Sequence, residues 1–455
     1  MSETPPLLIE NTWLAIAACL GGFLLLFAVV QGCARFGLVA PEGTRKMLHA
    51  GSGALTLAFP FLFRSAWPVL LLTSATALLM AAIKFLPQLR ARLGPAVVGV
   101  QRSTLGELYF PLSVAVLFLL TRGEHPLLFI VPILVLTLAD ATCALVGVRY
   151  GLTRYEGGSK SLEGSVAFAV VAFLCVHVPL LLWGPVGRAE SLLISATLAL
   201  LVMLLEGSAW RGLDNLFIPL GGYFLLSVYL ALDVSQLLAR FAVTLALVIL
   251  IVVARRSTTL EDDSLLAGAF LCYVAWALMG WRWLVPPLVV FVGYKWLSPV
   301  TIDNSRRMHG VPAVLSVWGA AVAWLALARA LGDESMLLPY SLVFAAHLAM
   351  FGVSRLAHQY PERPFPRLLW RAIVVSWCIV IIPYLISVGF DMLSVVAAAV
   401  ALPAVAFGAW IFARLQPDIR DTQQDTLRWS LQAGAAGIAS LAGWFGLLAA
   451  ARGIQ

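Results

Sequence analysis

The sequence predicts an all-α protein that crosses a membrane many times, as a polytopic membrane helix bundle of about 16 transmembrane helices. Hydrophobic residues make up 61% of the chain and charged residues only 12%, which is about half of the charged share of a typical globular protein. The apolar residues also form runs of the roughly 20 residues that a helix needs to cross a bilayer. A transmembrane β-barrel would show short segments of alternating polarity instead.

The apolar runs can be followed in order along the chain. They begin near residues 12, 48, 67, 108, 127, 165, 190, 215, 237, 265, 284, 311, 337, 372, 391 and 430. Pro and Gly residues blur several of their boundaries. We do not expect the first run to be a cleaved signal peptide, because Glu3 and Glu10 precede it and no Lys or Arg does.

The net charge of +7 does not indicate nucleic-acid binding, because the basic residues alternate between loops. One set of loops carries 22 Lys and Arg residues and the other set carries 7. This distribution follows the positive-inside rule. It predicts a multi-pass protein of the cell (inner) membrane, with the basic loops in the cytoplasm and both termini outside it.

The polar character of the basic loops divides the chain into two parts. Up to about residue 233 these loops are dense in Gly, Ser, Thr, His and acidic residues, and beyond it most of them are short. We therefore predict a first domain of residues 1–233 that carries the chemistry. Residues 234–455 form a second transmembrane bundle.

Two polar clusters come first among these loops. Arg45 and His49 are four residues apart and share one face of a helix. They could equally be an interfacial anchor and a packed histidine. Further on, Arg102 and Glu107 flank two hydroxyl residues just before the fourth run, and Glu107 also suits an ordinary helix start.

The third cluster surrounds an acidic residue inside the fifth run. Asp140, Ala144, Gly147 and Gly151 lie at offsets of 0, 4, 7 and 11 and therefore share one helix face. Asp140 would lie roughly 13 to 15 Å from the inner end of its helix, at 1.5 Å per residue. An ionised carboxylate at that depth needs a polar cavity or a cation. Hydrogen bonding between helices is the alternative.

A loop rich in Gly, Ser and Lys follows at residues 157–165. It holds Lys160, Ser161, Glu163 and Gly164 at the start of the sixth run. Hydroxyls and a lysine at a helix N-terminus are typical of an anion site. The spacing of a Walker A motif is absent.

The last cluster joins Glu206 to Asp214 and Asn215 across the next basic loop. Two acids and an amide suit Mg²⁺, which takes oxygen ligands and keeps some water and phosphate oxygens. Capping of the following helix is the alternative. Together the four clusters supply acids for a metal and a cation for phosphate, which are the parts that phosphoryl or nucleotidyl transfer needs.

In this order the clusters resemble the phytol kinase and dolichol kinase family. That family includes CTP-dependent diacylglycerol kinases and is distantly related to phosphatidate cytidylyltransferases. The resemblance covers about residues 40–233. It is carried by Arg45-Lys46-x-x-His49, Ser103-Thr104-Leu105-Gly106-Glu107, Asp140-Ala141 with Gly147 and Gly151, Lys160-Ser161-Leu162-Glu163-Gly164-Ser165, and Glu206 with Asp214-Asn215.

The resemblance implies transfer of the γ-phosphate of CTP, with Mg²⁺, to the hydroxyl of a membrane lipid alcohol such as phytol, a polyprenol or dolichol, or diacylglycerol. Asp140, Glu206 and Asp214 would then be metal ligands or bases, and Lys160 would be catalytic. The nucleotide or lipid would contact Arg45, His49, Arg102, Glu107, Ser161, Glu163, Gly164 and Asn215.

Two other functions remain open at this point. A phosphatidate cytidylyltransferase that makes CDP-diacylglycerol would share some of these residues, but the C-terminal signature of that family is absent. A membrane transporter would also bury acids, although it should show paired broken helices near the midplane. The second domain has only a faint resemblance, around Ser264–Ala269 and Lys295–Leu315, to the family proposed to phosphorylate phytyl phosphate.

Overall fold

The computed structural model describes residues 6–39, 41–86, 88, 105–122, 124–156, 160–255, 258–297, 309–416, 419 and 426–452. Within these ranges the chain consists of helices and their connections, with two isolated β-bridges. It forms two compact units, residues 1–249 and 250–455. The predicted division into residues 1–233 and 234–455 stays a prediction.

The helices of unit 1 follow each other through short connections. They are α1 Thr12–Arg35, α2 Pro41–Thr56, α3 Phe59–Leu62, α4 Ala66–Phe85, α5 Gly106–Leu120, α6 Leu127–Leu134, a π-helix Val135–Ala139, α7 Asp140–Tyr150, α8 Leu162–Trp183, α9 Arg188–Ser208, α10 Asp214–Tyr229 and α11 Val234–Ala254, which continues into unit 2.

Unit 2 contains seven more helices in its described part. They are α12 Asp262–Met279, α13 Trp281–Leu297, α14 Val311–Leu331, a 3₁₀ turn Glu334–Met336, α15 Leu337–Gln359, α16 Phe365–Val388, α17 Met392–Leu415 and α18 Thr426–Arg452. Of the apolar 18-residue stretch along α15, 94% is buried inside the protein. It packs against α13, α14, α16, α17 and α18 and is the central helix of this unit.

The predicted fold class is confirmed. Among the described residues, 12 helices are long and apolar enough to span a membrane. The remaining predicted runs correspond to the shorter helices α2, α5, α10 and α13, which have 16, 15, 16 and 17 residues. The count of about sixteen is therefore approximate as a number of full spans, although each predicted run lies on a helix.

The core of unit 1 forms where its first helices meet. Phe59 and Phe63 pack with Val69 of α4, Leu117 of α5 and Phe129 of α6. Tyr223 of α10 packs against this core. Of the helices whose ends carry the polar clusters, α2, α5 and α10 are among the short ones.

Candidate active site

Asp140 owes its position to an irregular helix. Pro132 removes one backbone donor from α6, and the chain then widens into the π-helix that ends at Ala139. A π-helical segment is rare and is often found at functional sites. Asp140 is the first residue after it, and its side chain is buried.

The carboxylate of Asp140 is paired with Lys46 of α2. The Lys46 Nζ lies 2.5 Å from Asp140 Oδ2, and the two residues are only 9% and 6% exposed. His49, one helical turn further along α2, places its Nε2 3.7 Å from the same oxygen. The imidazole also packs edge-on against Phe110 of α5, with ring centroids 5.2 Å apart. The cation that the buried Asp140 was predicted to need is therefore Lys46, which lies on α2.

A glycine brings α2 close enough for this pairing. A Cβ on Gly53 would collide with the hydroxyl of Thr137, which lies in the π-helix. The Thr137 hydroxyl is buried, and no described group hydrogen-bonds to it. The close approach of α2 to the π-helix therefore depends on the missing side chain of Gly53.

The described ends of the loop between α7 and α8, residues 151–156 and 160–161, pair through the backbone and hold Lys160. The Tyr155 amide donates to the Lys160 carbonyl at 2.9 Å, and the Leu162 amide donates to the Thr153 carbonyl at 2.9 Å. The hydroxyl of Tyr155 donates to Ser165 Oγ at 2.8 Å and ties the loop to α8. These bonds fix the backbone on both sides of Lys160.

Lys160 forms the second ion pair of the site, in which the carboxylate is buried and the lysine is 23% exposed. Its Nζ lies 2.8 Å from Glu206 Oε1 and also donates to the Glu206 carbonyl oxygen at the end of α9. Burial alone would lower the pKa of Lys160, but the carboxylates of Glu206 and Asp214 outweigh it and raise this pKa above its ordinary value. The ammonium is therefore charged at neutral pH. The thiol of Cys143 lies 3.7 Å from the same Glu206 oxygen.

The small residues predicted to share a face with Asp140 make room for the loop. A Cβ on Gly147 would lie 3.2 Å from Ser161 Oγ, and one on Gly151 would lie 2.8 Å from it. The Ser161 hydroxyl accepts a hydrogen bond from the Gly164 amide at 3.2 Å and caps α8. Glu163 accepts from the Thr153 amide at 3.0 and 3.2 Å. Ser161, Glu163 and Gly164 thus shape the loop, and any contact with nucleotide stays a prediction.

Asp214 and Asn215 begin α10 after a strained turn. Arg211 has a φ of 56° and Gly212 a φ of 87°, so both lie in the left-handed region. Asn215 Nδ2 donates to the Gly106 carbonyl at 2.9 Å and joins α10 to the start of α5. The Asp214 carboxylate lies close enough to interact electrostatically with both His49 and Lys160.

The remaining predicted residues lie at the edge of this cluster or outside the described residues. Glu107 faces Lys84 of α4 at 3.8 Å, and its Oε2 is buried. Arg45 lies on α2 and interacts electrostatically with His49. Arg102 lies outside the described residues.

The site offers oxygen atoms to a cation without forming a closed cage. In the described ranges no three His, Cys, Asp or Glu side chains are grouped as a metal site. Glu206 Oε2 is nevertheless buried without a hydrogen-bond partner there, and Asp214 belongs to the same cluster. One or two carboxylates with phosphate oxygens and water are what Mg²⁺ ordinarily needs, so these residues fit it. Asp140 and Glu206 each have one carboxylate oxygen paired with a lysine.

The structure thus brings together Asp140, His49, Lys160, Glu206 and Asp214. The sequence motif included Lys46 but assigned it no role, because a lysine near a helix start also fits the positive-inside rule. A usable signal existed: an acid deep in an apolar helix requires a cation, and Lys46 shares a helical turn with His49. Nothing in the sequence pattern pointed to Cys143.

Two curated proteins are similar to this chain. It is 31% identical to the phytol kinase of Synechocystis sp. over 218 residues, which make up 46% of this chain and 88% of that protein. It is 34% identical to the dolichol kinase of Saccharomyces cerevisiae over 114 residues, which make up 24% of this chain and 22% of that protein. No protein-family model matches the chain, and no solved structure matches it at a significant level.

The first of these similarities extends over nearly the whole of its relative, and the predicted coverage of somewhat less than half of this chain agrees with it. The chain therefore belongs to the phytol kinase and dolichol kinase family of membrane lipid alcohol kinases.

Proposed function

We propose that unit 1 transfers the γ-phosphate of CTP to the hydroxyl of a membrane lipid alcohol. The observation that carries this proposal is the presence of two lysine pairs with buried carboxylates in one cluster, Lys46 with Asp140 and Lys160 with Glu206. The names of the two relatives support a lipid alcohol as the acceptor, of the phytol or polyprenol and dolichol type. Diacylglycerol is the further acceptor class that the assay below includes.

The two lysines have a clear task in such a reaction. Phosphoryl transfer passes through a loose transition state in which charge spreads over the phosphate oxygens. Lys46 and Lys160 are held in place by their acids before the nucleotide binds. Preorganised cations of this kind stabilise the transition state without further reorganisation.

The three acids differ in their depth in the membrane and in the groups that they contact. Asp140 lies deepest, at the far end of α7 from its loop, where a lipid hydroxyl would arrive from the bilayer. It is the base that we assign to the acceptor hydroxyl. Glu206 and Asp214 would hold Mg²⁺, which supplies further compensation for the negative charge of the phosphates.

The side of the membrane follows from the charge of the loops. The Lys160 loop, the α9–α10 connection and the start of α2 all belong to the basic set. We place these loops in the cytoplasm, where CTP is available. The membrane would be the cell (inner) membrane.

The test is phosphate transfer by the purified full-length protein in lipid-containing micelles. CTP and ATP labelled in the γ-phosphate are offered with phytol, a polyprenol or diacylglycerol. We expect label to enter one lipid class, with CTP as the better donor. Asp140→Asn and Lys160→Ala should each lower the rate by about a hundredfold or more, which is the usual effect of losing one such group.

Arg188→Ala is the matched control. Arg188 is exposed at the opposite end of α9 from Glu206, so this variant removes a charge from the same helix without touching the cluster. It should keep its activity. If no lipid takes up γ-label while α-labelled CTP and phosphatidic acid give a CDP-lipid, the protein is a cytidylyltransferase and the proposal is wrong.

A further inference from the structure

Cys143 is a buried residue of unit 1 to which the phosphotransfer proposal gives no role. It lies on α7, three residues after Asp140, and is 8% exposed. A buried cysteine is ordinarily a small packing residue. Whether this one does more depends on the groups that its thiol contacts, which come from α8 and α9.

Gly164 makes room for the thiol at the start of α8. A Cβ on Gly164 would lie 3.1 Å from the Cys143 carbonyl oxygen and 3.4 Å from Cys143 Sγ. The two helices therefore approach closely at this point. In an interior packed at this density, the Cys143 side chain has little space in which to adopt another orientation.

The thiol donates a hydrogen bond to the carboxylate of Glu206. Cys143 Sγ lies 3.7 Å from Glu206 Oε1, and an ionised carboxylate has no proton to donate, so the sulfur is the donor. Lys160 Nζ lies 2.8 Å from the same oxygen. Two donors, one on α7 and one in the loop before α8, therefore hold Oε1 in place.

The other oxygen of the same carboxylate is in the opposite situation. Glu206 is only 3% exposed, and its Oε2 is buried with no hydrogen-bond partner among the described residues. A buried acceptor without a partner is costly, so Oε2 points to a ligand that supplies the missing contact. Asp214, the other acid assigned to Mg²⁺, interacts electrostatically with Lys160 in the same cluster.

Without the thiol, nothing in these contacts would reserve Oε2 for a ligand. The Lys160 ammonium is fixed, because it also donates to the Glu206 carbonyl oxygen. The last torsion of a glutamate side chain is soft, so a carboxylate held by Lys160 alone can turn and bring Oε2 towards the ammonium as well. A second donor on Oε1 opposes that rotation.

From this geometry we propose that Cys143 is a positioning residue, whose thiol holds Glu206 Oε1 and so keeps Oε2 available to the divalent cation of the reaction. The inference rests on the proposed function, which assigns Glu206 to Mg²⁺. Hydrogen bonds to a ligating carboxylate commonly tune the affinity for the metal. The thiol also withdraws some negative charge from the carboxylate, but it is a weak donor, so the effect on orientation is the larger one.

The first experiment measures Mg²⁺ binding to the full-length protein in detergent micelles, by the rise in melting temperature as Mg²⁺ is added without nucleotide. Cys143→Ala should weaken the apparent Mg²⁺ affinity about fivefold, the usual effect of losing one hydrogen bond. Cys143→Ser leaves nearly the same space and keeps a donor. Its affinity should lie closer to that of the natural protein than to that of Cys143→Ala.

Cys175→Ala is the matched control. Cys175 of α8 is 6% exposed, and its Sγ lies 3.7 Å from the Leu134 carbonyl oxygen. The substitution therefore removes an equally buried thiol and a hydrogen bond of the same length, but its acceptor is a backbone carbonyl. Cys175→Ala should lose stability much as Cys143→Ala does and should bind Mg²⁺ as the natural protein does.

The transfer assay separates positioning from a general loss of structure. In Cys143→Ala the Mg²⁺ concentration that gives half of the maximal rate should rise about fivefold, while the rate at saturating Mg²⁺ should change little. A merely destabilised protein would lose rate at every Mg²⁺ concentration.

The second experiment observes the thiol itself, by the infrared S–H stretching band in the absence of metal and nucleotide. The difference between the spectra of the natural protein and Cys143→Ser isolates the Cys143 band. A hydrogen bond to a carboxylate lowers the stretching frequency. Glu206→Gln should raise it, because a neutral amide oxygen is a weaker acceptor than a carboxylate.

The outcomes distinguish this inference from the proposed function. If the natural protein labels no lipid while Cys143→Ala still weakens Mg²⁺ binding, the phosphotransfer is wrong and the thiol keeps its role towards the cation. The inference is wrong if Mg²⁺ leaves the melting of the natural protein unchanged, or if Cys143→Ala and Cys175→Ala bind Mg²⁺ equally. It is also wrong if Glu206→Gln leaves the Cys143 band in place, a result that does not require Cys143→Ala to fold.

Discussion

At the scale of single residues, the ion pair between Lys46 and Asp140 is the pair of the site with both partners buried. Both side chains are about nine-tenths buried, and their charged atoms are 2.5 Å apart. A buried pair gains little over an apolar pair of the same shape, but removing one partner leaves the other charge without compensation. The stability of the protein should therefore fall when either partner is replaced alone, and fall less than the sum when both are replaced.

We predict that Lys46→Met and Asp140→Asn each destabilise the protein by about 3–5 kcal/mol, because each leaves a buried charge or dipole unmatched. The double variant should lose less than the sum of the two, with a coupling energy of roughly 1–3 kcal/mol. The single and the double variants should all transfer phosphate at least about a hundredfold more slowly, since each lacks the Lys46 cation, the Asp140 base or both. Reversible unfolding in mixed micelles and the labelled-CTP assay measure the two effects separately.

Lys84→Met provides the comparison for this cycle. Lys84 and Glu107 are 3.8 Å apart, and their side chains are 22% and 23% exposed. Solvent and salt screen such a pair, so the loss should be no more than about 1 kcal/mol. Equal losses at Lys46 and Lys84 would mean that burial does not govern the pair at Asp140.

The sequence predicted most of the site residues but not their pairing. The acids at 140, 206 and 214 stood out because charges are rare in apolar helices. The partner of Asp140 did not stand out, because Lys46 belongs to a helix 94 positions earlier. Such a contact depends on tertiary packing, and a single sequence contains no local pattern that reports it.

At the scale of elements, the approach of α2 to the π-helix sets the geometry of the pair. A Cβ at Gly53 would meet three atoms of Thr137 at less than normal contact distance. We predict that Gly53→Ala destabilises the protein by about 1–3 kcal/mol, the usual cost of overpacking. It should also slow phosphate transfer, because α2 must shift away and carries Lys46 with it. Thermal unfolding and the transfer assay measure both effects.

Gly21→Ala is the matched substitution in α1. A Cβ at Gly21 meets nothing within 4 Å, so replacing glycine in a helix should be neutral or should stabilise by up to about 1 kcal/mol. Thr137→Ala, combined with Gly53→Ala, should recover part of the loss. An unchanged melting temperature in Gly53→Ala would contradict the close packing of α2.

The irregular elements were the ones that sequence patterns could not predict. The apolar run from residue 127 predicted a helix, and the helix is there. The residue types of Val135–Ala139 do not distinguish a π-helix from an α-helix, because all five can occur in both. The paired backbone of the Lys160 loop depends on the bridge between Arg154 and Ser161, which forms only once α7 and α8 are antiparallel.

At the scale of the whole molecule, the described candidate site residues other than Asp140 lie at alternate connections, and Asp140 lies inside its span. In unit 1 they lie at the ends of α4, α7 and α9 and at the starts of α2, α5, α8 and α10. The basic residues follow the same alternation. Under the positive-inside rule, this alternation would place the Lys160 loop of unit 1 on the cytoplasmic side.

This orientation gives the last prediction, which single introduced cysteines can test. Glu156, in the loop of Lys160, and Glu124, in the preceding connection, are both exposed. In intact cells that produce the protein, a membrane-impermeant maleimide should label Glu124→Cys and leave Glu156→Cys unlabelled. Permeabilised cells should label both. The same pattern is expected for Glu334→Cys and Arg363→Cys in unit 2, with Glu334 on the outer side.

The natural protein is the control for this labelling, because its six cysteines are buried or half-buried. Each variant is also assayed for phosphate transfer, so that only correctly folded proteins are compared. Labelling of Glu156→Cys in intact cells would place the Lys160 loop outside the cytoplasm. A nucleotide confined to the cytosol could not reach Lys160 and Glu206 there, and the choice of CTP as donor would have to be abandoned even if the lipid acceptor were correct.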